Sequence, residues 1–403
     1  MDMKKIKFVL PRVIKGNRGD IASRWGLLRS LQLMGFEEVA VFTHLPGDIP
    51  DLSYERRSIG KLRNLLPDKE GWKTLKHADV VLWAAGLDLQ DDSSLAKLIY
   101  LWLIFHVYRL IGLRIWCLFQ GAGPITTTPG KKLASAVVGC VDVFVARDPG
   151  TYQLVSSLSS KPRLYLGQDA IFLPGLELDL PDALSDVQKS KDRPLLIGIN
   201  IRQWFHFSSN VLPYEFSKRK YRERSLDKME RLIEVFSELI MNLRQHYNAR
   251  ILLLSAYQPG VMPWEDDLPW LAMIKQKFAD DPEVILPDEG LTIPQYFRQM
   301  RSLDLMIGMR LHSSLTALRF GVPAINVSYT LKGGDIYRHL GFDGNIVELK
   351  EVLQNPHTLF QVAARLIENL EDQRLQVKQK VSKVIDDNFA LLASIIGESP
   401  RAE

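Results

Sequence analysis

The turn Arg310 to His312 places two side chains that can carry positive charge directly before a pattern typical of a helix. The apolar run Leu303 to Met309 predicts a buried strand before the turn, and Ser313 or Ser314 can cap the helix after it. Free backbone N–H groups favour an anion at a helix N-terminus, and ligands of open α/β sheets bind beyond the carboxyl ends of the strands. The turn therefore predicts a phosphate or carboxylate pocket. The alternative is a solvated arginine and a capping histidine.

Two other turns at predicted strand ends are rich in glycine. The segment Gly16 to Asp20 follows the first predicted strand, and Gly121 to Pro124 follows a later one. Neither nucleotide fingerprint, GxGxxG or GxxxxGK[ST], occurs in the first turn, so nucleotide binding by those mechanisms is not supported. Glycine lets backbone approach a ligand closely, but tight packing would also explain the second turn. Asp20 is either a helix N-cap or a general base facing a cleft.

Other catalytic patterns find little support. The eight histidines are scattered, and the sequence contains no HExxH, no paired CxxC and no GxSxG, so neither a metal site nor a serine hydrolase is expected. Arg147 and Asp148 stand side by side at a strand end and can form a local ion pair of small energetic value.

The composition is that of a globular protein with two domains. The chain has 403 residues, 46% hydrophobic and 24% charged, and a net charge of +4 that is spread along its length. This mild charge is not a nucleic-acid signature. Cys117 and Cys140 lie in apolar runs and no secretory leader is recognised, so a cytoplasmic location is expected.

The run Leu95 to Phe119 is apolar enough to suggest a membrane span. It contains Lys97, His106, Arg109 and Arg114, which instead favour a buried helix followed by a strand. Peripheral contact with the inner face of a membrane stays open.

Apolar strands alternate with helical patterns in two successive halves, which predicts two doubly wound α/β domains around a cleft. We expect a first domain over residues 1–178, a second over 190–354, and a helical segment over 355–403 that packs back on the first. Pro174 to Arg193 is the expected linker. The aromatic and basic stretch Trp204 to Arg224 is either a substrate loop or an ordinary surface loop.

Short motifs along most of the chain resemble, in order, the polysaccharide pyruvyl transferase family. They are Gly16-Asn17-Arg18-Gly19-Asp20, Gly121-Ala122-Gly123-Pro124, Val145-Ala146-Arg147-Asp148, Asp169, Asn200-Ile201-Arg202, Gly308-Met309-Arg310-Leu311-His312 and Pro323 through Lys332. The resemblance implies a GT-B-like fold of two Rossmann-like domains. It also implies transfer of a pyruvyl or enolpyruvyl group from phosphoenolpyruvate to a sugar of a polysaccharide or its lipid-linked precursor, typically as a ketal, with phosphate as the leaving group and no cofactor.

The resemblance assigns roles to particular residues. The second domain is expected to bind the donor through Arg202, Arg310, Leu311, His312 and Lys332. The first is expected to bind the acceptor or line the cleft with Asn17, Gly19, Gly121, Gly123, Arg147 and Asp169.

The chemistry of ketal formation narrows these roles. His312 is the candidate general acid and Asp20 the candidate base, with Asp169 as its rival. The helix N-terminus and the nearby arginines should disfavour the imidazolium of His312 in the empty site.

Two other classes remain open. A GT-B glycosyltransferase with a nucleotide-sugar donor would share the fold, but after Lys332 the carboxylates Asp335 and Glu348 are poorly placed to bind a ribose. A non-catalytic carbohydrate-binding protein would leave Arg310 and His312 without a joint purpose.

The segment Ala85 to Leu87 departs from the glycine pair common in the family, which bears on the acceptor more than on the donor.

Overall fold

The structure is a computed structural model that describes residues 6–12, 16–36, 39–43, 56–58, 69–84, 86–91, 95–176, 193–203, 218–258, 265–287, 291–329 and 331–398. Most of the expected linker Pro174 to Arg193 and of the expected loop Trp204 to Arg224 lies outside these residues, as does the side chain of Lys332. The domain boundaries at 178 and 190 fall in the same undescribed part and stay predictions.

The first half of the chain forms a parallel sheet with helices on both faces. Its strands run in the order β3-β2-β1-β4-β6-β7-β8, and β5 pairs with the end of β6. The order reverses beside β1, which is the doubly wound pattern. The strands are β1 (Phe8–Leu10), β2 (Val39–Thr43), β3 (Arg56–Ser58), β4 (Val80–Ala84), β5 (Leu87–Leu89), β6 (Arg114–Ala122), β7 (Val143–Ala146) and β8 (Arg163–Leu166). The helices are α1 (Arg18–Leu33), α2 (Lys69–Lys76), α3 (Leu95–Leu110), α4 (Thr128–Val138) and α5 (Pro149–Leu158).

The second half repeats the design with a second parallel sheet, in the order β11-β10-β9-β12-β13-β14. Its strands are β9 (Leu196–Asn200), β10 (Arg250–Leu253), β11 (Val284–Ile285), β12 (Leu305–Gly308), β13 (Ala324–Ser328) and β14 (Ile346–Glu348). The helices, including the C-terminal pair, are α6 (Lys218–Tyr247), α7 (Leu268–Lys277), α8 (Ile293–Ser302), α9 (Leu311–Arg319), α10 (Leu331–His339), α11 (Leu349–Gln354), α12 (His357–Glu368) and α13 (Leu370–Gly397). The expected fold class, two Rossmann-like doubly wound units, is confirmed.

One hydrophobic core joins the two halves. Trp25 of α1 packs against Phe297 of α8 with ring centroids 5.9 Å apart, and both side chains are fully buried. Helix α13 contributes Leu392 and Ile395 to the same core, and its Asn388 side chain exchanges hydrogen bonds with the backbone near residue 168. The C-terminal helix thus lies against the first half, beside the segment that carries a candidate site residue.

The apolar run Leu95 to Phe119 forms α3 and most of β6. In the described part of the chain, no helix is long and apolar enough to cross a membrane. The inner face of α3 is buried, whereas Leu103 and Leu110 are 51% and 85% exposed on its outer face.

Helix α9 begins earlier than its sequence suggested. Arg310 is the N-cap residue by its backbone, and no side chain caps the helix. Ser313 and Ser314 are buried within the first turn, where the Ser314 hydroxyl donates to the carbonyl of Ile325 at 3.2 Å. The prediction that one of these serines caps the helix was wrong because both hydroxyls face the protein interior.

Candidate active site

Two arginines follow neighbouring central strands of the second sheet. Arg202 comes two residues after β9, and Arg310 two residues after β12, whose register with β9 pairs Gly308 with Asn200. The strand order reverses between β9 and β12, so both arginines lie at the topological switch point where ligands of such sheets bind. Asn200 fixes this arrangement because its side-chain oxygen accepts from the Arg310 backbone N–H at 3.1 Å.

Arg310 is buried and held by two carboxylates. Its Nε lies 3.0 Å from both oxygens of Asp267, its Nη2 donates to Asp267 Oδ1 at 2.8 Å, and its Nη1 donates to Glu265 Oε2 at 2.9 Å. Nη2 also donates to the backbone carbonyl of Glu265. Burial alone would lower the pKa of Arg310, but Asp267 and Glu265 raise it well above its ordinary value. The guanidinium is therefore not an open fork, because the protein itself occupies most of its donors.

Arg202 shares one of those carboxylates. Its Nη2 donates to Glu265 Oε2 at 3.0 Å, and its Nη1 donates to the Tyr329 hydroxyl. Burial would raise the pKa of Glu265, but Arg202, Arg310 and then Lys97 lower it. A single carboxylate oxygen thus bridges the two arginines.

His312 lies between two carboxylates of the first half of the chain. Its Nδ1 is 3.7 Å from Asp20 Oδ1 and its Nε2 is 3.5 Å from Asp169 Oδ2. Burial lowers the pKa of His312, but Asp169 and then Asp20 outweigh it and raise the pKa above the ordinary value. The expectation of a disfavoured imidazolium in the empty site was wrong. The nearest charges are negative, while Arg202 and Arg310 are neutralised by their own partners.

Asp169 is the more strongly held of the two carboxylates. It accepts hydrogen bonds from the Ser23 hydroxyl at 3.0 Å, the Ile171 backbone N–H at 3.1 Å and Arg147 Nη1 at 2.9 Å. Burial would raise its pKa, but His312 and Arg147 hold it well below the usual range. Asp20 has a side chain that is 16% exposed, against 2% for Asp169.

Arg147 and Asp148 do not pair with each other. Arg147 pairs with Asp169, whereas Asp148 caps α5 by accepting from the Thr151 backbone N–H at 2.7 Å. Gly121 makes room for this arginine, since an added Cβ would lie 2.9 Å from Arg147 Nε. The interpretation of Arg147 and Asp148 as a local ion pair was therefore wrong. Arg147 instead lies with Asp20, Asp169 and His312, which we call the histidine cluster.

The Gly16 to Asp20 turn joins the two halves of the chain. Asn17 forms an antiparallel bridge with Tyr257, and its side chain caps α1 by accepting from the backbone of Gly19 at 3.0 Å. An added Cβ on Gly19 would lie 2.0 Å from the Cβ of His312, so only glycine allows this approach. Asn17 thus takes the capping role, and Asp20 lies one turn further on with its carboxylate toward His312.

The remaining predicted residues lie around these clusters. Gly123 has a φ of +78°, a conformation that favours glycine, and donates its N–H to the Leu89 carbonyl. Leu311 is half-buried against the shared core. The roles assigned to the site residues stay predictions, and the side chain of Lys332 is outside the described residues.

Sequence reasoning missed Glu265 and Asp267. They belong to none of the motifs that resemble the family. The available signal was a run of three acidic residues, Glu265 to Asp267, shortly after the apolar strand β10. Among the described residues, no group of three or more His, Cys, Asp or Glu side chains could hold a metal ion.

Three solved structures with a similar fold contain UDP or UDP-GlcNAc. S. aureus MnaA in complex with UDP has a TM-score of 0.56 and 13% identity, over 99% of this chain and 100% of that chain. UDP-GlcNAc 2-epimerase from Neisseria meningitidis bound to UDP-GlcNAc has a TM-score of 0.56 and 11% identity, over 97% and 100%. A UDP-glucose:anthocyanidin 3-O-glucosyltransferase in complex with UDP has a TM-score of 0.51 and 10% identity, over 98% and 100%. At these identities the likeness shows the fold alone, which is GT-B-like.

Sequence comparison is more specific. No curated protein matches the sequence. The family model for polysaccharide pyruvyl transferase matches residues 17–330, a range that includes the arginine pair, the histidine and both of its carboxylates. The chain belongs to the polysaccharide pyruvyl transferase family.

Proposed function

We propose that this enzyme transfers the pyruvyl group of phosphoenolpyruvate to a sugar of a polysaccharide or its lipid-linked precursor, forming a ketal and releasing phosphate. The observation that carries the proposal is that the same site contains two arginines at the switch point of the second sheet and a histidine that lies between two carboxylates. The two arginines suit the binding of an anionic donor, and the histidine with its carboxylates suits proton transfer.

The donor chemistry explains the arginines. Phosphoenolpyruvate carries a carboxylate and a phosphate, and guanidinium groups bind both with charge-assisted hydrogen bonds. Arg202 and Arg310 lie on adjacent strand ends and already share one carboxylate oxygen, so their spacing fits an anionic group between them. Leu311 and Lys332 are the other residues of this side that we propose for donor binding.

The proton chemistry explains the histidine. One sugar hydroxyl bonds to C2 of the donor while C3 gains a proton and becomes a methyl group. The second hydroxyl then bonds to C2 as the C2–O bond to phosphate breaks. Of the two protons that the hydroxyls lose, one balances the proton on C3 and the other leaves with phosphate. His312 suits the acid because Asp169 and Asp20 raise its pKa, which favours the protonated imidazolium.

The base that accepts the hydroxyl proton is a carboxylate on the first-domain side. Asp20 is our candidate, since it reaches His312 and remains partly exposed to the cleft. Asp169 fits a positioning role better, because Ser23, Ile171 and Arg147 already donate to its oxygens. The acceptor then lies on the first-domain side, near Asn17, Gly19, Gly121 and Gly123.

We also propose that the first domain rests on the inner, anionic face of a membrane, where a lipid-linked acceptor would be found. Leu103 and Leu110 are exposed on the outer face of α3, and Lys131 and Lys132 are exposed on α4, which packs beside it. In co-sedimentation with phosphatidylserine vesicles, Leu103→Glu should reduce binding severalfold. Leu375→Glu, on a similarly exposed site of α13, should not. Equal binding by both variants would remove α3 from the interface.

The decisive experiment measures phosphate release from phosphoenolpyruvate with each candidate sugar added in turn, followed by mass spectrometry of the product. The expected product is heavier than the acceptor by a pyruvate residue in ketal linkage. Release of UDP from a UDP-sugar, with phosphoenolpyruvate untouched, would instead identify a glycosyltransferase.

A further inference from the structure

We propose that Glu265 occupies the anion position of the donor site in the empty enzyme and leaves it when the donor binds. This inference rests on the proposed function, because it takes the paired arginines to be the donor site. It makes Glu265 a residue that sets donor affinity and product release.

The arginine cluster consists of Arg202, Arg310, Glu265 and Asp267. Its two carboxylates differ in how they are held. Asp267 is fully buried and accepts from Arg310, from the Asn200 side chain at 3.3 Å and from the Ala256 backbone N–H at 3.2 Å. Glu265 has a side chain that is 22% exposed, and its Oε2 meets Arg202 and Arg310. Asp267 is therefore built into the domain as the permanent partner of Arg310, whereas Glu265 lies at the solvent side of the pair.

The charges of the cluster favour the displacement of one carboxylate when an anion binds. Arg202 and Arg310 carry two positive charges, and Glu265 and Asp267 carry two negative charges, so the four groups are neutral together. An incoming phosphate or carboxylate would meet a neutral cluster and an occupied edge of each guanidinium. When the ligand anion replaces Glu265, Nη2 of Arg202 and Nη1 of Arg310 donate to the anion instead. Neither arginine is then left without an acceptor.

The Glu265 side chain has a role both in the empty enzyme and after the reaction. In the empty enzyme it keeps two guanidinium groups close together without an uncompensated positive charge. After the reaction it competes with phosphate for the same donors and so assists product release. A protein carboxylate tethered beside the site competes at a high effective concentration.

Glu265→Gln tests this directly, because it removes the charge and nearly preserves the shape. By isothermal calorimetry, inorganic phosphate should bind the Gln variant at least about tenfold more tightly than the unchanged enzyme. In kinetics, phosphate should also become a stronger product inhibitor. The matched control is Glu283→Gln, which removes a carboxylate 2.6 Å from Arg250 near the opposite end of β10 and should leave phosphate binding unchanged.

Phosphate binding by Glu265→Gln that is equal to, or weaker than, that of the unchanged enzyme would overturn the proposal, since Glu265 would then support the arginines as ligand contacts. If the Gln variant fails to fold, Glu265→Asp gives the same test, because the shorter side chain draws the charge back from the arginines. The phosphate titration does not depend on turnover. Tighter phosphate binding without any reaction of phosphoenolpyruvate would support the displacement of Glu265 by an anion and reject the proposed function.

Discussion

The two charged clusters of the cleft are built in different ways. The arginine cluster comes from one half of the chain, since Arg202, Glu265, Asp267 and Arg310 all follow strands of the second sheet. The histidine cluster needs both halves: Asp20, Arg147 and Asp169 come from the first, and His312 comes from the second. In the function we propose, anion binding is thus preset within one half of the chain, whereas proton transfer depends on how the two halves meet. A change within one cluster should therefore leave the geometry of the other intact, even though a bound anion also favours the proton on His312.

The largest expected effect belongs to His312. His312→Gln keeps polarity and approximate size but cannot donate a proton as an acid. Turnover should fall roughly a hundredfold or more, the range for a lost acid or base, while phosphoenolpyruvate binding stays within about tenfold. Single-turnover kinetics and calorimetry measure the two quantities separately. An equal loss of turnover and of phosphoenolpyruvate affinity would show that the two clusters act as one binding site.

Arg310→Lys should have the next largest effect, and here the structure changes our expectation. From the sequence, we expected this change to cost about 2 to 4 kcal/mol in transition-state stabilisation and to leave thermal stability nearly unchanged. The loss of activity is still expected. Since Arg310 is buried between Asp267 and Glu265, the free energy of unfolding should also fall, by about 1 to 3 kcal/mol.

The matched control for that change is Arg250→Lys. Arg250 also forks onto a carboxylate, Glu283, but its side chain is 46% exposed. An exposed pair contributes little, so urea unfolding of this variant should differ from that of the unchanged protein by less than about 1 kcal/mol. If Arg310→Lys is equally mild, the arginine cluster is not the rigid unit described above.

Gly19→Ala separates the clusters most cleanly. The added Cβ would lie 2.0 Å from the His312 Cβ, so α1 and α9 must move apart. We expect turnover to fall about tenfold or more while phosphate binding by the second domain stays the same. Gly397→Ala is the control, because its added Cβ meets nothing within 4 Å. Weakened phosphate binding in Gly19→Ala would contradict the independence of the arginine cluster.

The smallest expected effect is that of chelation. Arg202, Arg310 and the protonated His312 are the positive groups of the proposed donor site, and none of them needs a divalent ion, so turnover with phosphoenolpyruvate should survive excess EDTA. Activity that disappears with EDTA and returns with magnesium or manganese would assign the charge neutralisation to a metal.

The sequence was sufficient for the fold because each strand of a parallel sheet is a short apolar run, such as Leu303 to Met309, set between helical patterns. It placed Arg202, Arg310 and His312 at strand ends for the same reason. It could not show which charges meet across the chain. Arg147 pairs with Asp169 rather than with its neighbour Asp148, and Asn17 rather than Asp20 caps α1. Glu265 and Asp267 escaped notice because an acidic run before a helix ordinarily suggests only a cap.

The central claim is that donor binding and a proton on His312 are coupled across the domain boundary. Calorimetric titration of phosphoenolpyruvate from about pH 6 to 9 tests it in the unchanged enzyme and in His312→Gln. Asp169 and Asp20 raise the pKa of His312, so the imidazolium persists above its ordinary range, and a bound anion favours it further. Affinity should therefore fall once the pH exceeds the pKa of His312 in the empty site. The ionisation of the donor itself cancels between the two proteins, and the extra fall should be absent in His312→Gln. The same pH dependence in both proteins would show that His312 is not the proton carrier.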